Sequence, residues 1–192
     1  MEEEIPDGYV RVTDVLKCFR DFSNIDPAVL NNAADRGEKV HKYCELYVQN
    51  LLIEEPVPEC KKYVDSFIQW FDENVEAVEG LEERLNHEVH KISGKYDMIV
   101  RLKNDPKLYL LDIKTPQQPS ASWALQTAAY EMLLRDCKDI YIDGRFCLIL
   151  NKNGKKAKQV IYENKTRDMS LYLSALELYR YFNPEKKKEL TE

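Results

Sequence analysis

The stretch Leu108-Tyr-Leu-Leu-Asp112-Ile-Lys114 constrains this chain more than any other seven residues. Side chains of an extended strand alternate between the two faces of a sheet. Leu108, Leu110, Asp112 and Lys114 therefore share one face, and Tyr109, Leu111 and Ile113 share the other. Both faces stay apolar until the C-terminal end, which predicts a central strand covered on both sides. A carboxylate and an ammonium at the end of such a strand need a partner, an ion or water. The spacing alone says little, because an acid, any residue and then lysine occurs six times: at 59–61, 105–107, 112–114, 136–138, 163–165 and 185–187. Only the copy at Asp112 falls in a buried strand, where a structural salt bridge to Lys114 competes with a chemical role.

The surrounding elements read as layers for such a sheet. A short extended piece at 9–12 precedes a short helix capped by Thr13 or Asp14. Asp26-Pro27 opens a long helix, since aspartate caps well and proline fits the first turn. Leu30, Ala33, Gly37, Val40, His41, Cys44, Tyr47 and Leu51 form its one-sided apolar stripe. A second helix at 59–74 follows Pro56 and Pro58. Extended segments are expected at 78–90, 95–102 and 107–115, with turns at Gly94 and Asn104-Asp105-Pro106. A helix from Ser120 or Ser122 to about 134 precedes strands at 144–150 and 157–162, joined by the hairpin turn Asn151-Lys-Asn-Gly154. A last helix is expected at 168–182 and a charged tail at 184–192. This order predicts an α/β fold. Residues 1–183 are expected to form a single domain, with a helical N-terminal part at about 13–74 and a central mixed sheet at 75–162 flanked by helices.

Composition narrows the function classes. Of the 192 residues 44% are hydrophobic and 32% charged, which suits a folded domain. No apolar run approaches the roughly 18 residues of a membrane span. The Met-Glu-Glu-Glu start lacks the basic and apolar regions of a signal peptide. Five cysteines at 18, 44, 60, 137 and 147, with no close pair, exclude a CxxC site and fit a reducing cytosol, so a cytoplasmic location is expected. The net charge of −6 argues against a protein coated in nucleic acid. Yet residues 135–192 hold 13 basic and 9 acidic side chains, a balance of +4. Lys152, Lys155, Lys156 and Lys158 in the hairpin are therefore candidates for holding phosphates, although a solvated lysine-rich hairpin would look the same.

Further polar groups fall where polarity is costly. Antiparallel pairing through the turn at 104–106 would bring Asp97 near Asp112, and a divalent cation such as Mg²⁺ or Mn²⁺ relieves the repulsion of two close carboxylates. His41 lies on the inward stripe of the long helix, where a hydrogen-bonded core histidine is the plainer reading. Trp123, Gln126 and Tyr130 share one helix face, and a glutamine between two aromatics is odd for packing alone.

Gly37-Glu-Lys-Val-His41, Glu82, Gly94-x-x-Asp97, Asp112-Ile-Lys114 and Gln126-x-x-x-Tyr130 stand in the order found in the PD-(D/E)XK nuclease superfamily, and the chain most resembles its RecB-like and phage-type exonuclease branch. The resemblance covers about 13–162 and implies a restriction-endonuclease-like core. It further implies that His41, Asp97, Asp112 and the Ile113 carbonyl ligate Mg²⁺ or Mn²⁺, and that Lys114 is catalytic. Gln126 and Tyr130 would support the site or touch the nucleic acid, and Glu82 would be the upstream glutamate, with Glu83 and Glu88 as competitors; Trp123 and the hairpin lysines are separate candidates for meeting nucleic acid. The proline of the family name is missing, since Tyr96 precedes Asp97. Some relatives carry four cysteines for an iron–sulfur cluster; Cys18 with scattered later cysteines predicts none here. The absence of a GxxxxGK[ST] loop predicts no use of ATP.

The resemblance thus implies a metal-dependent DNA nuclease, an exonuclease rather than an endonuclease, in recombination, repair or phage replication. Its partners would be single- or double-stranded DNA and a recombination or replication protein. The alternative is a catalytically degenerate nucleic-acid-binding or protein-interaction domain of the same fold. Because a ligating imidazole must be neutral, metal binding is expected to weaken below about pH 6.5.

Overall fold

The computed structural model describes residues 5–17, 19 and 24–184. Cys18 and residues 185–192 of the expected tail lie outside the described residues. In chain order the elements are β1 (Val10–Arg11), α1 (Val12–Lys17), α2 (Pro27–Val48), α3 (Pro58–Asn74), β2 (Val75–Leu81), β3 (Arg84–His87) and β4 (Ile92–Lys95). They continue with β5 (Met98–Leu102), β6 (Leu108–Lys114), α4 (Ser122–Lys138), β7 (Gly144–Ile149), β8 (Lys158–Ile161) and α5 (Lys165–Phe182).

The central sheet has the order β2-β5-β6-β7-β8, which places β6 in the middle. β6 pairs antiparallel with β5, Met98 opposite Leu111, and parallel with β7, Asp112 opposite Cys147. Both faces of β6 are covered, as its alternation requires. Leu110 packs with Val15 and Leu16 of α1, Ala129 and Leu133 of α4, and Tyr172 and Leu176 of α5. Leu111 and Ile113 pack with Val40 and Cys44 of α2 and with Phe67 and Trp70 of α3. Each large apolar side chain buried in these layers contributes roughly 1.5–3 kcal/mol. The Asp26 side chain accepts the Ala28 N–H at 2.7 Å, so the predicted cap does start α2.

The expected strand at 78–90 is broken. Glu82 adopts a left-handed backbone (φ 51°), and the chain turns there into β3. β3 then pairs with β4, and β4 with β1, in a separate three-stranded sheet. Gly94, expected in a turn, lies within β4 instead. A Cβ there would sit 2.6 Å from Leu133 Cδ1 and 2.9 Å from Tyr130 Cε1, so the glycine admits α4 against this small sheet. α4 runs on to Lys138 and stops where Asp139 turns left-handed (φ 57°). α5 begins at Lys165, three residues earlier than expected, because Asn164 accepts the Arg167 N–H.

A polar tie crosses one layer. Arg145 of β7, fully buried, reaches Glu131 of α4 at 3.1 Å and Asp168 of α5 at 2.6 Å. Among the described residues no helix is long and apolar enough to cross a membrane.

Candidate active site

The C-terminal end of β6 meets α2, α4 and the strand starts of β5 at one cluster of polar side chains. Asp97, one residue before β5, falls across from Asp112 because the β5–β6 register continues from Met98 and Leu111. Asp97 Oδ2 accepts the Ile113 N–H at 2.5 Å, and Asp97 Oδ1 lies 3.3 Å from His41 Nδ1. His41 reaches it from α2, the helix laid over this face of the sheet. The turn at Glu82 donates its N–H to the Asp97 carbonyl at 2.8 Å and so brings a second carboxylate to the same place. His41, Glu82 and Asp97 offer donor atoms all within 4.8 Å of one another. Of the three competing glutamates only Glu82 lies there. Glu83 pairs with Lys138, and Glu88 pairs with Lys91 at 2.8 Å.

Asp112 is adjacent but turned toward other partners. Lys114 Nζ stands 2.5 Å from its Oδ2, and Gln126 Nε2 donates to its Oδ1 at 3.3 Å. Lys114 also donates to Gln126 Oε1 at 3.1 Å, and Gln126 donates to the Tyr130 hydroxyl at 3.0 Å. One glutamine thus fixes Asp112 and Lys114 together and is itself held by Tyr130, which accounts for the polar residue between two aromatics. From β7 the buried Cys147 donates its thiol to Asp112 Oδ2 at 3.5 Å.

Trp123 differs from its expected use. It is only 4% exposed and packs with Cys147 and Ile149, with the Lys114 ammonium 5.7 Å from its ring centroid. It lies under the lysine and offers little face to an incoming strand. The hairpin lysines stand at the same end of the sheet as Lys114, since β7 runs parallel to β6 and its Ile149 pairs with both Lys114 and Lys158. Lys152, Lys155, Lys156 and Lys158 are exposed, and Lys156 pairs with Glu73 at 2.7 Å.

The sequence reading passed over three cations. Lys95, inside the quoted Gly94-x-x-Asp97 segment, holds Glu82 Oε2 at 2.6 Å. With Arg11, Arg84, Ser93 and Tyr130 it lines a cavity of about 170 Å³. Lys95 follows Gly94 directly and was legible. Arg11 and Arg84 meet it only through the pairing of β1, β3 and β4, which no local pattern announces.

Electrostatics bind the cluster into one unit. Burial opposes a charge on His41, but the Asp97 carboxylate beside it carries the imidazole pKa up to about 9, with Lys114 opposing and Asp112 reinforcing. Burial pushes Asp97 upward, yet His41, Lys114 and the Ile113 N–H hold its carboxyl below the usual range. Asp112 is raised by burial and by Asp97, against the pull of Lys114. Glu82 is raised by burial and by Asp97, against Lys95. Burial would lower Lys114, but Asp112, Cys147 and Asp97 outweigh it, so the side chain stands as an ammonium. Three carboxylates thus face two ammonium groups and an imidazole that holds its proton. That proton supplies the positive charge a divalent cation would otherwise bring, and the donor set of one nitrogen and hard oxygens suits Mg²⁺ or Mn²⁺.

No protein-family model matches the sequence, and no curated protein matches it either. Solved structures similar to this chain include that of SSO0001, at 12% identity and a TM-score of 0.45, covering 93% of this chain and 80% of that one. Another is an alkaline exonuclease, LHK-Exo, from Laribacter hongkongensis, at 14% identity and a TM-score of 0.41, covering 96% of this chain and 95% of that one. LHK-Exo in complex with dAMP is similar at 12% identity, with the same TM-score of 0.41 and the same coverage of both chains.

Proposed function

We propose that this protein is a metal-dependent nuclease that hydrolyses phosphodiester bonds of DNA. The observation that carries this reading is the meeting of His41, Glu82, Asp97 and Asp112 with Lys114 at the end of one buried strand. Buried titratable groups gathered in this way and shifted by one another mark a functional site.

His41, Glu82 and Asp97 would hold Mg²⁺ or Mn²⁺, joined by Asp112 and by the Ile113 carbonyl. That carbonyl shares the β5 side of β6 with the Ile113 N–H that Asp97 accepts. The imidazole favours Mn²⁺ over Mg²⁺. When bound, such a cation supplies Lewis-acid stabilisation of charge and a more acidic water. The chain's own groups do the rest. Lys114 presents an ammonium, fixed by Asp112 and Gln126, to negative charge growing on the phosphate. Its raised pKa suits that electrostatic task better than proton abstraction. Gln126 and Tyr130 keep Asp112 and Lys114 in register, and the cavity lined by Arg11, Arg84 and Lys95 would receive a backbone phosphate. Action from strand ends, as an exonuclease, follows the motif resemblance.

The test incubates end-labelled single- and double-stranded DNA, and a circular substrate, with Mg²⁺ or Mn²⁺. Wild type is expected to release short products from linear DNA and to spare the circle, and Lys114→Ala to lose at least a hundredfold in rate, the scale of one electrostatic contact. Binding without cutting by the wild type would replace this reading with a degenerate binding domain. Cutting that survives in Lys114→Ala would remove the lysine from the chemistry.

A further inference from the structure

The acidic net charge of −6 makes a line of unpaired cations conspicuous. On α2, α3 and the β7–β8 hairpin several surface cations are already used. Lys39 pairs with Glu59, Lys61 with Glu55 and Asp65, and Lys156 with Glu73. Arg36, Lys62, Lys152, Lys155 and Lys158 have no acidic partner among the described residues.

Neighbouring residues lead from the candidate metal site toward these five. Thr115 follows Lys114, and its hydroxyl lies 3.7 Å from where a Cβ on Gly37 would stand. Arg36 precedes Gly37, and its guanidinium carbon is 5.7 Å from the centroid of the Tyr63 ring. Lys62 precedes Tyr63, and its carbonyl and Cβ lie 3.8 and 3.9 Å from a Cβ placed on Gly154 of the hairpin turn. Lys155 follows Gly154. By strand spacing Lys158 stands two strands from Lys114, about 10 Å away. A continuous path therefore runs from the reacting end of β6 over α2 and α3 to the hairpin.

We propose that one nucleic-acid backbone follows this path, its phosphates passing Arg36 and Lys62 before they reach Lys152, Lys155 and Lys158. The proposal rests on the nuclease reading and adds to it two contact residues. Arg36 is suited to the middle position. Tyr63 holds its guanidinium in place, 5.7 Å from the ring centroid.

The experiment measures binding of a labelled single-stranded oligonucleotide by fluorescence anisotropy in EDTA across a salt series. For wild type, Arg36→Gln and Lys62→Gln, the slope of log affinity against log salt is expected to fall by about 0.7 with each neutralisation, the loss of one single-strand phosphate contact. Arg36→Lys is expected to keep the wild-type slope. Lys107→Gln, at the opposite end of β6, is expected to keep it as well. Lys62 is exposed, so its variant keeps the test decisive should Arg36→Gln fail to fold. Unchanged slopes in Arg36→Gln and Lys62→Gln, or an equal fall in Lys107→Gln, overturn the path. If wild type still cuts and Lys114→Ala does not, that result leaves the nuclease reading standing and removes only the path. A wild type that neither binds nor cuts overturns both.

Discussion

His41 holds a proton in the free protein and, under the proposed function, would give it up for a bond to the cation. Its folded pKa of about 9 lies above the ordinary histidine value near 6.5. A group whose pKa is raised on folding stabilises fully below its unfolded value and loses that contribution as pH rises through the folded one. Melting in EDTA should therefore show wild type losing stability between about pH 6.5 and 9, relative to a His41→Gln variant that lacks this term. Mn²⁺ affinity, measured by calorimetry, should rise over the same interval, because the ion must displace that proton. The window thus moves up from the free-histidine value that the sequence alone suggests, and the cause is the Asp97 carboxylate 3.3 Å away. An affinity flat from pH 6.5 to 9 would separate His41 from the metal.

At the scale of elements, α4 positions Gln126 and Tyr130 by lying close against β4, and Gly94 is what allows it. Gly94→Ala is expected to cost about 1–3 kcal/mol in urea unfolding, because Leu133 and Tyr130 are both buried and must shift. The same shift should slow cleavage through the Tyr130–Gln126 contact; a variant with wild-type stability and rate would show that the helix is free to adjust. Strand β6 and its acid–lysine end were legible because alternation exposes a covered strand without any knowledge of its neighbours. The antiparallel approach of Asp97 was legible from the short turn at 104–106, and the start of α2 from Asp26-Pro27. The division of 78–90 into two strands was not, since Glu82 turns left-handed without the glycine or asparagine that usually marks such a place. Gly94 misled in the opposite sense, its purpose being contact across the fold rather than a turn. Arg145 escaped notice because its partners Glu131 and Asp168 stand on helices before and after it in the chain, and no local spacing links them.

Across the whole molecule, the cluster joins β5 and β6 to α2 on one side and α4 on the other, so an ion bound there is coupled to global unfolding. At a concentration a hundredfold above its Kd, Mn²⁺ should raise the unfolding free energy by about 2.7 kcal/mol. Asp97→Asn should abolish that gain, and an undiminished gain in the variant would place the ion elsewhere. The turn at Glu82 has a wider consequence. A glutamate in left-handed backbone costs about 1–2 kcal/mol, and its carboxylate is also crowded by Asp97. Glu82→Asn should melt at or above the wild-type temperature in EDTA, yet gain little when Mn²⁺ is added; a lower melting point in EDTA would show that the Lys95 pair outweighs both burdens. Selection for heat resistance alone would discard this side chain, so its persistence in a lineage would report on chemistry rather than on durability.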